Sequence, residues 1–214
     1  MNTIRFQYVI PQVFAQREEQ HSDFWQQPVL LEKGRTYLIE ADSGKGKSTF
    51  CSYLLGYRHD YSGTILFDDV DVRSFKVAQW TAVRQHQISM LFQDLRLFPE
   101  LTAKENIEIK NNLTGFKTPS QIEQWFDMLG IPDKMNAKVG RMSFGQQQRV
   151  ALIRSLCQPF DFIVADEPIS HLDDQNAAIM GSILMQEARE QGAGVVVTSI
   201  GKHIALNYDK VIKL

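Results

Sequence analysis

The sequence predicts an α/β protein built on a mostly parallel sheet. Three observations carry this. A short apolar run, Tyr37-Leu38-Ile39, leads into a glycine-rich stretch, Ala41-Asp42-Ser43-Gly44-Lys45-Gly46-Lys47-Ser48-Thr49, and then a helix-compatible segment, Phe50 to Leu55. Two continuous apolar runs, Phe162 to Ala165 and Val195 to Thr198, have the unalternating character of strands covered on both faces. Helical patterns separate these runs, and β–α alternation favours parallel neighbours.

A chain of 214 residues can bury a sizeable core, as one large domain or a domain with a sub-lobe. Its 43% hydrophobic and 22% charged residues are those of a soluble globular protein, and the net charge of −2 supplies no basic field for nucleic acid. Cys51 and Cys157 stand in apolar helical contexts with no CxxC or histidine cluster near them, which suits core positions in a reducing compartment. The first residues lack a signal-peptide apolar core, and no apolar run approaches the ~20 residues that span a bilayer. Any work at a membrane therefore needs another chain to cross it.

Residues 1–36 read as strands. Thr3 to Ile10 is β-branched and aromatic and stops at Pro11. Gln12 to Asp23 is a polar loop or hairpin around the apolar island Val13-Phe14. Phe24 to Leu31 is a second strand, and Pro28 places it at an edge. Arg35 to Glu40 feeds the glycine-rich loop. Thr64 to Phe67 is a strand, and the acids of Asp68-Asp69-Val70-Asp71 form a solvated turn, because calcium-loop spacing is absent. Residues 75–86 suit a short helix with Trp80 and Val83 on one face. Ile88 to Phe92 is a buried strand ending at Gln93. From Asp94 to Met142 helical patterns dominate, including a Thr102/Glu105 capping box and an amphipathic helix from Ser120 to Leu129. This stretch reads as a helical lobe inserted into an α/β core of residues 1–93 and 143–214. Ser143 and Gln146 form a second capping box, opening the helix that carries Val150, Ile153 and Cys157 on one face. Ala177 to Arg189 is the last long helix.

The chemistry follows from two of these places. Gly44 and Gly46 can take backbone angles closed to other residues, so the loop can curl its amides around one anion in front of a helix N-terminus. Lys47 brings a charge to terminal phosphates, Ser48 a hydroxyl to Mg²⁺, and Lys45 a further charge at the mouth. Asp166-Glu167 ends a buried strand, where α/β sheets present their chemistry. Adjacent strand residues face opposite ways, so Asp166 can hold Mg²⁺ while Glu167 polarises water.

In this order the motifs resemble those of ATP-binding subunits of the ABC transporter family, over nearly the whole chain. Walker A is Ala41 to Thr49. The Q-loop is Leu91-Phe92-Gln93-Asp94, followed by Leu97 to Thr102 and Glu105-Asn106-Ile107. The signature is Met142-Ser143-Phe144-Gly145-Gln146, Walker B is Phe162 to Asp166 with Glu167, and the D-loop is Ser170-His171-Leu172-Asp173. The stretch Leu91 to Ile107 looks most like that of small export or lipoprotein-release systems. The resemblance implies a P-loop NTPase core with an N-terminal antiparallel part, binding ATP and Mg²⁺. Ser43 to Thr49 would hold the nucleotide, Ser48, Gln93 and Asp166 the metal. Glu167, assisted by Gln93 and residue 199, would carry hydrolysis. It further implies a head-to-tail dimer, Ser143, Gly145 and Gln146 of one copy facing the γ-phosphate of the other. The lobe would dock on a separate integral membrane permease, placing the protein in the cytoplasm at the inner face of the membrane. An aromatic residue near the N-terminus stacks on adenine in the family; Phe14 is the candidate and Tyr8 the runner-up.

Three residues depart from the pattern. Ala41 replaces the first glycine of Walker A, Phe144 a small signature residue, and Ser199 the histidine that contacts the γ-phosphate. His203, four residues on, could share a helical face with position 199. The Ser199 departure keeps a rival reading open: a slow, ATP-dependent clamp acting as a regulatory module at a membrane complex.

Overall fold

The computed structural model describes residues 1–15 and 22–214. Part of the loop or hairpin expected over Gln12 to Asp23 lies outside the described residues. The described residues form two sheets. The first is antiparallel and contains β1 (Thr3–Pro11), β2 (Pro28–Glu32), β4 (Tyr61–Phe67) and β5 (Val70–Asp71), in the order β2-β1-β4-β5. The second is parallel, with β3 (Thr36–Glu40), β6 (Ile88–Leu91), β7 (Phe162–Asp166), β8 (Gly194–Ser199) and β9 (Lys210–Lys213) in the order β6-β7-β8-β3-β9. Its register sets Asp166 beside Thr198 and Glu40 beside Ser199, so the carboxyl ends of β7, β8 and β3 lie in one row.

Period-2 alternation divides the core between the two faces of this sheet. Tyr37, Ile39, Phe162, Val164 and Val196 face the cluster that holds the antiparallel sheet and α1 (Lys47–Leu54). Leu38, Ile163, Ala165, Val195 and Val197 face the cluster built from α5 (Phe144–Leu156) and α6 (Asp174–Glu190). Residues 94–142 contain α3 (Ala103–Asn111) and α4 (Pro119–Met128). Their Ile107 and Phe126 join the same cluster as Val150 of α5, so α5 serves the sheet and the helical segment together. Cys51 and Cys157 are buried and unbonded, and burial pushes the Cys157 thiol up to about 12.

Several elements differ from the sequence reading. The second strand begins at Pro28; Phe24 and Trp25 lie in a turn whose amides are accepted by the Ser22 hydroxyl. Pro28 does sit on an edge strand. The helix near 75–86 is α2 (Val77–Ala82), continued by a π-helical turn over Val83–Gln87, with Trp80 and Val83 buried. The helix expected from Ser120 starts at Pro119 behind a third capping box, Thr118/Gln121. Asp68 accepts the amides of Asn2 and Thr3, which makes that turn part of the β1–β4 pairing. Residues 200–209 form no helix, so His203 shares no helical face with position 199.

Candidate functional site

The glycine-rich loop is shaped from below. Gly46 precedes α1 at φ 107° and Gly44 sits at φ 78°, both left-handed and suited to glycine. A Cβ on Gly46 would also meet the Phe14 ring at 2.8 Å and Trp25 at 3.0 Å. The indole of Trp25 donates to the Lys45 carbonyl at 3.1 Å. Phe14 and Trp25 therefore support the underside of the loop. Phe14 is only 3% exposed, whereas Val13 beside it is 55% exposed. Both line the cavity at the loop mouth, about 390 Å³, with Ser43, Gly44, Gly46, Lys47, Ser48, Thr49, Gln93, Glu167 and Ile200. Tyr8 is 64% exposed, beside the irregularity of β1 opposite Gly63. Ala41 is accommodated at the edge of the core, its amide bonded to the Ser199 carbonyl. The amide of Lys45 bonds to Asp42 within the loop, and the Thr49 hydroxyl accepts from Arg58.

Polar groups converge on this mouth. Lys47, 7% exposed, donates to the carbonyls of Ala41 (2.9 Å) and Asp42 (3.3 Å), and lies 3.6 Å from Glu167. Gln93 Nε2 donates to the other Glu167 oxygen at 3.1 Å. Glu167 holds φ 48°, a left-handed angle for a non-glycine residue, of the kind that strain concentrates at functional sites. Its amide bonds to the Thr198 carbonyl, which carries the carboxylate off the strand end toward the loop. Asp166 is buried and accepts from the Thr198 hydroxyl. Burial pushes its carboxyl above the usual range; the Thr198 bond opposes this, and the Glu167 charge adds to it. Ser48, Gln93 and Asp166 line one adjoining cavity of about 260 Å³. Hydroxyl, carboxamide and carboxylate oxygens are the hard donors that suit Mg²⁺. Among the described residues no cluster of three His, Cys, Asp or Glu could hold a metal alone, so the set fits an ion whose coordination phosphate oxygens complete.

The end of β8 is arranged otherwise. Ser199 is fully buried, and its hydroxyl donates to the Lys202 carbonyl at 2.6 Å, within its own turn. The side chain that reaches the cavity is Ile200, 47% exposed. Lys202 pairs with Asp174 and donates to Leu172 of the D-loop. His203 packs on Tyr208 and bonds to Gly201. Position 199, expected to face the γ-phosphate, thus turns inward because the following turn captures its only donor.

Helix α5 is capped by Ser143, whose hydroxyl accepts from the Gln146 amide while Gln146 Oε1 accepts from the Ser143 amide. Gly145 lies against the D-loop, where a Cβ would stand 3.1 Å from Leu172. Phe144 is exposed and stacks edge-on to His171. Ser143, Gly145 and Gln146 line neither loop cavity of their own chain. Trp25 and Ile200 carried no sequence signal for this site: Trp25 acts through a fold contact twenty residues from the loop, and Ile200 through the turn of its neighbour.

The ABC transporter family model matches residues 28–170, the stretch that runs from β2 through the D-loop. The chain belongs to the ABC transporter family. Among curated relatives, the uncharacterized ABC transporter ATP-binding protein YclH of Bacillus subtilis is 33% identical over 87% of this chain and 83% of its own length. The lipoprotein-releasing system ATP-binding protein LolD of Syntrophus aciditrophicus is 30% identical over 86% and 84%. The dimeric structure of MJ0796, a bacterial ABC transporter cassette, superposes with a TM-score of 0.83 at 26% identity, covering 99% and 94% of the two chains. A post-hydrolysis structure of the same cassette, bound to ADP and Pi, superposes with a TM-score of 0.75. The protein is an ATP-binding subunit of an ABC transporter, with the fold of an ABC ATPase. No helix among the described residues is long and apolar enough to cross a membrane.

Proposed function

We propose that the subunit binds Mg·ATP in the loop of Ser43 to Thr49, pairs head to tail with a second copy, and drives or gates a separate integral membrane permease from the cytoplasmic face. The observation that carries this reading is the convergence of Lys47, Gln93 and Glu167 on one cavity at the loop mouth. Lys47 exchanges the loop carbonyls for phosphate oxygens. Ser48, Gln93 and Asp166 hold Mg²⁺, which supplies charge neutralisation at the phosphates. Glu167 polarises the attacking water, with Gln93 fixing its carboxylate. Adenine rests at the Val13–Phe14 wall. Ser143, Gly145 and Gln146 supply the far wall of the partner's site, since they line neither loop cavity in their own chain, and the N-terminus of α5 brings its positive end there. No basic field suggests nucleic acid. The 94–142 segment is the proposed permease-docking lobe.

Light scattering of Glu167→Gln tests the assembly. The change keeps hydrogen-bonding shape and removes the carboxylate, so ATP should remain bound and hold two copies together. A variant that stays monomeric at saturating Mg·ATP and hydrolyses like the parent would overturn the reading. A second reading, a slow clamp, is favoured by one observation: Ser199 gives its hydroxyl to Lys202, and apolar Ile200 lines the cavity. Losing one preorganised donor to developing charge costs roughly 10²–10³ in turnover. Phosphate release in a single turnover separates the two readings: rapid release supports the transporter motor, and release over many minutes the clamp.

A further inference from the structure

We propose that Arg154 is a positioning residue, which ties the last turn of α5 to the turn after Gln93 and thereby sets where Gln93 meets Glu167. This rests on the ATPase reading above and names a residue for it. The turn is unusual. Leu95 holds φ 56° and Arg96 φ 48°, two successive left-handed residues that are not glycine. Such conformations are costly for residues with a Cβ and persist only where their surroundings hold them. The Leu95 amide closes the turn onto Phe92 at 3.0 Å, and the Arg96 guanidinium stacks over the Phe92 ring at 3.8 Å.

Arg154 supplies the hold. Its Nη1 donates to the Arg96 carbonyl at 2.6 Å and its Nη2 to the Leu95 carbonyl at 2.5 Å. The two carbonyls that the left-handed residues present are thus gripped by one planar fork, a geometry that lysine cannot reproduce. Burial pushes the guanidinium down to about 10, partly offset by Asp94, with Arg96 adding to the fall. The charges beside it, Asp94 and Arg96, pair with each other at 3.3 Å. The half-buried guanidinium gives both of these hydrogen bonds to this turn.

The other end of the same helix is the signature. α5 runs 13 residues without a break from its cap at Ser143, about 20 Å as a rigid rod. A displacement of its N-terminus, as when Ser143 engages a partner's nucleotide, is carried to Arg154 and pulls on the Leu95 and Arg96 carbonyls. Gln93, two residues before Leu95, bonds to Glu167 at 3.1 Å and moves with the turn. Without the fork the turn can relax to right-handed angles and swing Gln93 off Glu167.

The test uses the full chain with Arg154→Lys, alone and combined with Gln93→Ala. Amide hydrogen exchange in the nucleotide-free protein should rise at least about tenfold at Leu95 and Arg96, while β7 amides keep their rates. Steady-state phosphate release should fall about tenfold in kcat, with the KM for ATP changed less than about twofold. In the Gln93→Ala background Arg154→Lys should cause no further fall, because both act through one contact. Unchanged exchange at the turn, or losses that multiply in the double variant, overturn the proposal; a merely structural arginine gives the latter. Should Arg154→Lys not fold, Arg96→Pro disrupts the same turn from an exposed residue, since proline fixes φ near −65°. It should reproduce the kcat loss and its disappearance with Gln93→Ala, and an unaltered kcat refutes the link. If the parent chain hydrolyses no ATP, the ATPase reading fails, and hydrogen exchange alone still decides Arg154.

Discussion

Two neighbouring strand ends of one sheet have opposite characters. At the end of β7, Asp166 and Glu167 are drawn toward the loop, with Thr198, Gln93 and Lys47 as partners. At the end of β8, one strand away and in register, Ser199 folds its hydroxyl into its own turn and Ile200 stands at the cavity. Position in the sheet delivers a residue to the site. Whether its side chain points there depends on the turn that follows: a left-handed Glu167 opens outward, and a self-bonded Ser199 closes inward. The β7 end therefore carries a left-handed residue and a buried carboxyl, and the β8 end carries a satisfied hydrogen bond within its own turn.

Substitutions can break this contrast. The largest effect is expected at Glu167→Gln, with phosphate release slowed by roughly 10²–10³ while ATP still binds; hydrolysis at the parent rate would place the general base elsewhere. Lys47→Ala comes next. Losing a charge-assisted contact worth roughly 1.5–3 kcal/mol weakens ATP about ten- to hundredfold, read by fluorescent nucleotide titration. Equal dissociation constants would remove the loop from the site.

Asp166→Asn sharpens the comparison by inverting the usual sign. Burial raises the Asp166 carboxyl, so the folded state holds its proton to higher pH than the unfolded state does. Its charge therefore lowers stability at neutral pH, and that cost shrinks as pH falls through the folded-state value and is gone below the unfolded-state one. The uncharged amide should raise the thermal midpoint of the nucleotide-free protein, while slowing Mg²⁺-dependent turnover less than Glu167→Gln does. A lowered midpoint would show that the carboxylate stabilises the fold. Ser199→Ala is the smallest effect. It leaves the Lys202 carbonyl without its donor, costs about 1 kcal/mol, and lowers the midpoint by about 2–4 °C. Turnover should stay within about twofold of the parent; a larger loss would mean that Ser199 reaches the nucleotide after all.

The sequence by itself determined the order of motifs and most of the elements that hold them. Glycines that need left-handed angles, capping boxes at Thr102 and Ser143, and the unalternating runs at 162–165 and 195–198 are local signals, each fixed by residues within a few positions. The tertiary structure alone decided what a side chain does once delivered. The family resemblance nominated Phe14 as an adenine platform, and packing against Gly46 and Trp25 buried most of its ring. An aligned position nominated Ser199, and a bond to Lys202, three residues on, turned it inward. Arg154 carries no local signal, because its partners lie 58 and 59 residues away. Direction, burial and long-range hydrogen bonding depend on surroundings that the fold assembles from distant segments, and no local pattern encodes them.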